Sequence, residues 1–344
     1  MKKWLAILLA MAMVLSMTAC SSSSSSDDDD ADDDTEAAAE AEDTEETVYG
    51  DVNGDGQIIV GYISKNLTDT FHAPINALAQ ETFDALVADG TIDSWTGILD
   101  GDTDPSTQID CANDCITMGC DFVFILPAES DASDPAVTAM VDAGIKVIVV
   151  NSETTSTRDV AWLLSISDDV QAGELMAEYV NEQCPDGGYY LHCQGVIGNS
   201  AQIDRGTGIA NAINDNLILY GEYACDWEGD KAVDAIMDAL ATEYADEIVA
   251  VICDNDDMSS SVQTYVNSVG RSDIICIGVD GNSTPLEMIA NGELQCTILQ
   301  DGTGQLQAGI DAMLAYIEDG TEPESNVNII DFVTVTIDNV DEYL

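Results

Sequence analysis

The sequence is poorest in basic residues: eight Lys and Arg stand against 66 Asp and Glu, a formal charge of -58 at pH 7. Such a chain repels phosphate backbones and anionic lipid surfaces, so nucleic acid is excluded as a partner. Histidine is nearly absent, at two residues. His72 and His192 are the only imidazole bases on offer, and neither a G-x-S-x-G elbow nor an H-E-x-x-H pair accompanies them. Gly302-x-Gly304 lacks a third glycine and ends a series of units instead of opening one, which argues against a phosphate-cradling loop. These absences point away from catalysis. Past Met17, no stretch stays apolar for the roughly 18 residues that a membrane span needs.

Cysteine is plentiful, at ten residues, yet gives neither a disulfide framework nor a zinc site. Setting Cys20 aside leaves an odd number, which cannot all pair within one chain. Cys111, Cys115 and Cys120 lack the paired C-x-x-C spacing of a zinc site. Cys253 and Cys276 sit in apolar runs and read as small buried hydrophobes. Cys184 and Cys193 could form a bridge, but spacing alone fixes no connectivity. Asp51-Val52-Asn53-Gly54-Asp55-Gly56 resembles the front half of a calcium loop, but Tyr62 stands at the twelfth position, where a bidentate acid is required. It reads as a polar turn. No metal and no cofactor are expected.

The N-terminus carries an address. Met1-Lys2-Lys3 precedes an apolar run to Met17, then Thr18-Ala19-Cys20, so residues 1–19 read as an export signal. Leu15 to Cys20 resembles a bacterial lipobox, with Met17 where Leu is more usual. That resemblance implies cleavage before Cys20, diacylglycerol on its sulfur and an extracytoplasmic protein held to the membrane by lipid alone. Residues 20–56, rich in Ser, Asp, Glu and Ala, have little to bury and repel themselves, so a disordered acidic tether is expected.

From residue 57 the sequence changes character. Ile58 to Ile63, Phe122 to Leu126, Lys146 to Val150, Ile248 to Cys253 and Ile274 to Val279 are nearly continuous apolar runs, as strands buried on both faces of a parallel sheet should be. Amphipathic stretches lie between them; Ile75, Leu78, Ala79, Phe83, Leu86 and Val87 follow helical spacing after Pro74. Further helices are predicted over 106–118, 134–143, 168–183, 230–243, 258–269 and 304–317. The strand–helix series runs once from Ile58 to Val150 and again from Tyr189 to Gln300, with a final strand over 329–337. Two doubly wound α/β lobes result. In such lobes ligand groups stand beyond the carboxyl ends of the strands.

Each predicted strand leads into polar residues: Asp69 in the first loop with Phe71 and His72, then Asn151-Ser152, Asn255-Asp256-Asp257, Asp280-Gly281 and Gln300-Asp301, with Trp227 on a separate loop. Carboxylates and amides bind neighbouring hydroxyls, and aromatic faces cover the C–H side of a ring, so the set suits a polyol. His72 either lines a cleft or caps the helix that starts near Pro74.

Asp69-x-Phe71, Asp226-Trp227, Asn255-Asp256-Asp257-Met258, Gly278-Val279-Asp280-Gly281 and the run from Gly292 to Gln300 occur in an order that resembles the periplasmic binding proteins of the ribose and galactose/glucose class. The resemblance covers residues 58–337. It implies a type I fold of two Rossmann-like lobes joined by three hinge crossings, near Ser165, Gln300 and Asn326. The N-terminal lobe would comprise 57–165 and 301–325, and the C-terminal lobe 166–300 and 326–344. It also implies ligand-binding roles for Asp69, Phe71, Asn151, Trp227, Asn255, Asp280 and the hinge amide Gln300, with His72 where ribose binders have a second aromatic. Asn151-Ser152 replaces the Asp-Arg of ribose binders, which favours a hexose-like monosaccharide. One departure stands out: Ile203 occupies the place of a ligand-binding arginine. Gln202 or Arg205 could substitute, although Arg205 reads better as a structural ion pair. The implied protein is a monomeric, non-enzymatic binder that delivers its ligand to the permease subunits of an ABC importer. The alternatives are a sensor docking on a receptor or kinase ectodomain, and a secreted α/β enzyme.

Overall fold

The computed structural model describes residues 48–344; the expected export signal, Cys20 and the acidic stretch through residue 47 lie outside them. The expected tether is corrected at its end. Residues 48–56 pack on the first lobe: the Val52 and Asn53 amides donate to Asp121 Oδ1 at 2.8 and 3.1 Å, and Asn53 Nδ2 donates to the Gly119 carbonyl at 2.8 Å. The acids in this turn are engaged locally, Asp51 accepting the Asp55 and Gly56 amides.

The first lobe runs β1 (Ile59–Ser64), α1 (His72–Asp89), β2 (Ser94–Asp100), α2 (Pro105–Met118), β3 (Phe122–Ile125), α3 (Asp134–Asp142), β4 (Lys146–Val150), the short α4 (Thr157–Val160) and β5 (Leu163–Ile166). The second continues with α5 (Asp169–Gln183), β6 (Gly188–Gln194), α6 (Ser200–Ala212), β7 (Leu217–Ala224), α7 (Gly229–Leu240), β8 (Ile248–Cys253), α8 (Asp256–Ser268), β9 (Ile275–Ile277), β10 (Val279–Asp280), α9 (Ser283–Ala290) and β11 (Cys296–Leu299). The polypeptide then returns to the first lobe for α10 (Gly302–Asp319) and β12 (Val327–Ile329) before β13 (Val333–Thr336). The strand order of the first sheet is β12-β5-β4-β3-β1-β2, and those of the second lobe are β7-β6-β8-β9 and β10-β11-β13.

Burial on both faces explains the uninterrupted apolar strands. Tyr62, Phe83, Phe124, Ile148, Leu306 and Ile310 form the core on one side of the first sheet. Ile63, Ala112, Val123, Val137, Met140 and Val147 form it on the other. Two of the strands lacking this signal are edges: β2 and β7 are partly exposed along their length and leave no such run in the sequence. The Cys184–Cys193 pair does not form; both are free thiols, with Cys193 buried among Cys225, Cys253 and Ile236.

The expected third crossing is corrected. β12 pairs in parallel with β5, Val327 opposite Leu164 and Ile329 opposite Ile166, so the polypeptide leaves the first lobe after residue 329 and not near Asn326. β13 then pairs antiparallel with β11. The predicted single strand over 329–337 is thus two strands on different sheets; apolar pattern marks a strand but does not say which sheet it joins. Where strands end, helices are capped by the same loops that face the other lobe. Asn199 accepts from the Ala201 amide, Asn255 from that of Met258 and Asp301 from that of Gly304.

Two glycines fix the approach of α5 and α6. A Cβ on Gly173 would meet the Arg205 carbonyl oxygen at 2.1 Å, and one on Gly208 the Val170 carbonyl oxygen at 2.0 Å. Backbone meets backbone here, so no rotamer change relieves a clash. Gly208→Ala is expected to lower stability by about 1–3 kcal/mol in urea denaturation. An unchanged midpoint would show that the two helices are free to separate.

Candidate functional site

The carboxyl ends of the strands of both lobes face one another, and the loops leaving them line one cavity. All eight residues singled out in the sequence line it: Asp69, Phe71, His72 and Asn151 from the first lobe, Trp227, Asn255 and Asp280 from the second, and Gln300 from the crossing between β11 and α10.

The first-lobe wall is built by local hydrogen bonding. Asn66 Oδ1 accepts the Asp69 amide at 2.8 Å, and Asp69 Oδ1 accepts the Phe71 amide at 2.8 Å. Tyr62 holds Asn76, which in turn holds the Asn66 carbonyl. His72 begins α1, is buried and faces the cavity, so it lines the cleft rather than capping the helix. Its Nδ1 lies 3.1 Å from Asp69 Oδ2, within ion-pair range but off the hydrogen-bonding direction. Burial works against the charge on Asp69, yet His72, Lys65 and the Phe71 amide outweigh it and hold the carboxyl well below its usual range. Asn151 donates to Gln305 at 3.2 Å.

On the second lobe Trp227 lies flat against Gly195, where a Cβ would come within 2.1–2.3 Å of the indole carbons. Asn255 Nδ2 donates to the Trp227 carbonyl at 3.2 Å, and the Gly195 amide donates to Asp254 at 2.9 Å. Asp280 is held by Asn282 Nδ2 at 3.1 Å, and the loop behind it by Asp256, which accepts the Gly281 and Asn282 amides and the Thr297 hydroxyl. Burial, and then the charge of Asp256, push the Asp280 carboxyl well above its ordinary value.

Three of these residues, Asn151, Trp227 and Asp280, have positive φ, at 71°, 69° and 143°. Only six non-glycine residues do so among the described residues. Strain of this kind persists where surrounding structure over-determines a geometry, and it clusters at ligand sites.

Sequence reasoning missed part of the lining. Lys65 follows β1 directly and is buried, its ammonium 4.8 Å from the centre of the Trp227 ring. Burial lowers its pKa, and Asp69 opposes that shift. Its signal was position: it is one of eight basic residues and stands at a strand's carboxyl end. Asn199 and Ala201 also line the cavity but belong to α6 and its cap, a helix that the sequence pattern does not announce. Arg205, read as a structural ion pair, is both. Its Nε bonds Asp169 at 2.8 Å and its Nη2 reaches Gln300 at 3.2 Å, while Nη1 holds the Asp254 carbonyl and the side chain borders the cavity. Ile203, in the place of the missing arginine, is half-exposed and lines no part of the cavity.

Several polar atoms here have no protein partner. The donors Trp227 Nε1 and Gln300 Nε2, and the ring nitrogen His72 Nε2, are buried without a hydrogen bond, an arrangement that calls for explanation wherever it occurs. Around them stand acceptors on both lobes, Asp69 and Asp280. A molecule able to accept and donate at many points, with an apolar face for the indole, satisfies the set.

Two substitutions probe this geometry. Gly195→Ala is expected to displace Trp227 and abolish ligand binding while leaving far-ultraviolet circular dichroism unchanged; retained affinity would detach the indole from the site. Asp280, with a folded-state pKa above its unfolded value, contributes stability at low pH that is lost as pH rises through the folded pKa. The Tm advantage of Asp280→Asn over the unsubstituted, unliganded protein should therefore grow between about pH 4 and pH 7.5, and a difference independent of pH would contradict the buried charge.

The model of the Periplasmic binding protein domain matches residues 60–322. The xylitol-binding protein of Mycolicibacterium smegmatis is 28% identical over 243 residues, covering 69% of this chain and 67% of that one. The ribose import binding protein of Bacillus subtilis is 30% identical over 203 residues, 59% of this chain and 65% of that one, so the match spans about two thirds of each curated relative. A solved ABC transporter solute binding protein from Bacillus halodurans with bound myo-inositol superposes with a TM-score of 0.74 at 25% identity, covering 84% of this chain and 98% of that one. With two α/β lobes facing a shared cavity and a family match over most of its length, the chain belongs to the periplasmic binding proteins.

Proposed function

We propose that this protein is an extracytoplasmic solute-binding protein that captures a monosaccharide or polyol of similar size between its lobes and presents it to an ABC importer. The observation that carries this reading is the cavity's composition. Carboxylates of both lobes and buried donors without protein partners surround a space with an indole wall. Hydroxyl groups donate to Asp69 and Asp280 and accept from Trp227 Nε1, Gln300 Nε2 and Lys65, while the Trp227 face covers the C–H groups of a cyclic or open polyol. The relatives named for xylitol and ribose, and the solved one holding myo-inositol, support a polyhydroxylated ligand. Asn151 beside Ser152 favours a six-carbon ligand over a pentose.

Because donors and acceptors come from opposite lobes, only the closed arrangement satisfies them together, and ligand binding and closure are coupled. Lipid attachment at Cys20 keeps the protein beside its permease, and the acidic segment after it serves as the tether. No catalytic step is assigned: Lys65 and the acids bind and orient, and His192 is held beneath the site by Asp254 at 2.8 Å.

A thermal-shift screen of ribose, xylitol, myo-inositol, glucose and galactose tests the reading. A ligand at a hundred times its Kd should add about 2.7 kcal/mol of stability. Asp69→Ala and Trp227→Ala should each abolish the shift and leave the unliganded protein folded. Normal responses in both variants would refute the site, and turnover of any of these compounds would revive an enzymatic reading. Cys20→Ser should release the protein from the membrane fraction; retention there would refute the lipid anchor.

A further inference from the structure

One contact across the cleft involves none of the predicted ligand residues. Thr70 stands between Asp69 and Phe71 on the first lobe, outside the cavity lining. Its hydroxyl donates to the Asp257 carboxylate of the second lobe, 2.8 Å from Oδ2 and 3.0 Å from Oδ1. The same oxygen accepts from Asn282 Nδ2 at 3.2 Å. That amide nitrogen, with a second hydrogen to give, also donates to Asp280 Oδ2 at 3.1 Å. A single hydroxyl of one lobe is therefore gripped at two points of the other: the first turn of α8, which Asn255 caps, and Asn282, which follows Asp280 and caps α9.

We propose that Thr70 is a closure residue whose bonds to Asp257 and Asn282 set how long the lobes stay shut around a ligand. The inference rests on the reading that ligand binds in this cavity. The bonds join different lobes and are made only when the lobes face each other, so they stabilise the closed form over any open one. A hydroxyl–carboxylate bond is charge-assisted and stronger than a neutral one. Thr70 is solvent-exposed, so water competes for both partners and the effect is moderate. Since Asn282 spans Thr70 and Asp280, closure and orientation of the ligand-binding acid are linked through one side chain. Other interlobe contacts include the Ser130 amide to the Gly198 carbonyl at 2.8 Å, Asn199 Nδ2 to the Ala128 carbonyl at 2.9 Å and the Glu153 amide to Ser200 Oγ at 3.0 Å. The Thr70 hydroxyl differs in joining side chains of the other lobe from outside the cavity lining, so its removal leaves backbone and lining in place.

The test is stopped-flow release of ribose, xylitol and myo-inositol from the unsubstituted protein and its variants. Thr70→Val keeps the branched shape without the hydroxyl and should raise the dissociation rate about three- to tenfold, with the association rate nearly unchanged. Asp257→Ala should do the same, and the Thr70→Val/Asp257→Ala pair should add little to either alone, because the bond is already lost. Thr70→Ser retains the hydroxyl and should release ligand at close to the original rate. Unchanged release from Thr70→Val, or an equal change in Thr70→Ser, overturns the proposal. If none of the three compounds binds the unsubstituted protein, the polyol reading fails by itself. Closure is then read without ligand, by paramagnetic relaxation enhancement from a spin label on one lobe to nuclei of the other. A closed population about three- to tenfold lower in Thr70→Val upholds the proposal, and one that does not change, or none to change, overturns it.

Discussion

The guanidinium of Arg205 is buried where two of the interlobe crossings pass, and the arrangement of the cleft depends on it. It joins Asp169 at the start of α5, the Asp254 carbonyl at the end of β8, and Gln300 at the return crossing. A cation so deep is tolerable only with such partners, since removing either charge leaves the other uncompensated. Asp169 shows the strain: burial raises its pKa, and Arg205 pulls it back. The glycine contacts that bring α5 and α6 together set the distance over which this pair forms, so helix packing in the second lobe and side-chain placement in the cavity are one problem.

The rest of the site follows the same logic of enforced proximity. Asp256 is buried and gives its oxygens to the amides of the loop that presents Asp280; burial lifts its pKa to about 6. Asp254 holds Gly195, and Gly195 supports the indole of Trp227. Acids outside the cavity lining thus place groups within it. The unfavourable backbone angles at Asn151, Trp227 and Asp280 are sustained by these supports.

Much of this was legible in the sequence, for a physical reason. Strands buried on both faces write continuous Val- and Ile-rich runs, and their carboxyl ends locate the cleft. Asp69, Asn151, Asn255 and Asp280 could therefore be named from position and residue type. The parts that were missed lack such a signature. α6 carries Gly206 and Gly208, poor helix formers, the second because α5 needs the space; the helix went unseen, and with it Asn199 and the cavity-facing role of Arg205. The edge strands β2 and β7 are half-exposed and lose the buried pattern. The third crossing was misplaced because Val327 to Ile329 reads as strand in either lobe, and only pairing with β5 decides.

If one small polyhydroxylated molecule is held by both lobes at once, a crystal structure of the protein with a bound ligand from the ribose, xylitol and myo-inositol group will show it. Density is expected between Trp227 and the Asp69–His72 loop, with hydroxyls within hydrogen-bonding distance of both Asp69 and Asp280. A ligand seated on one lobe alone, or anywhere outside this cavity, would contradict it.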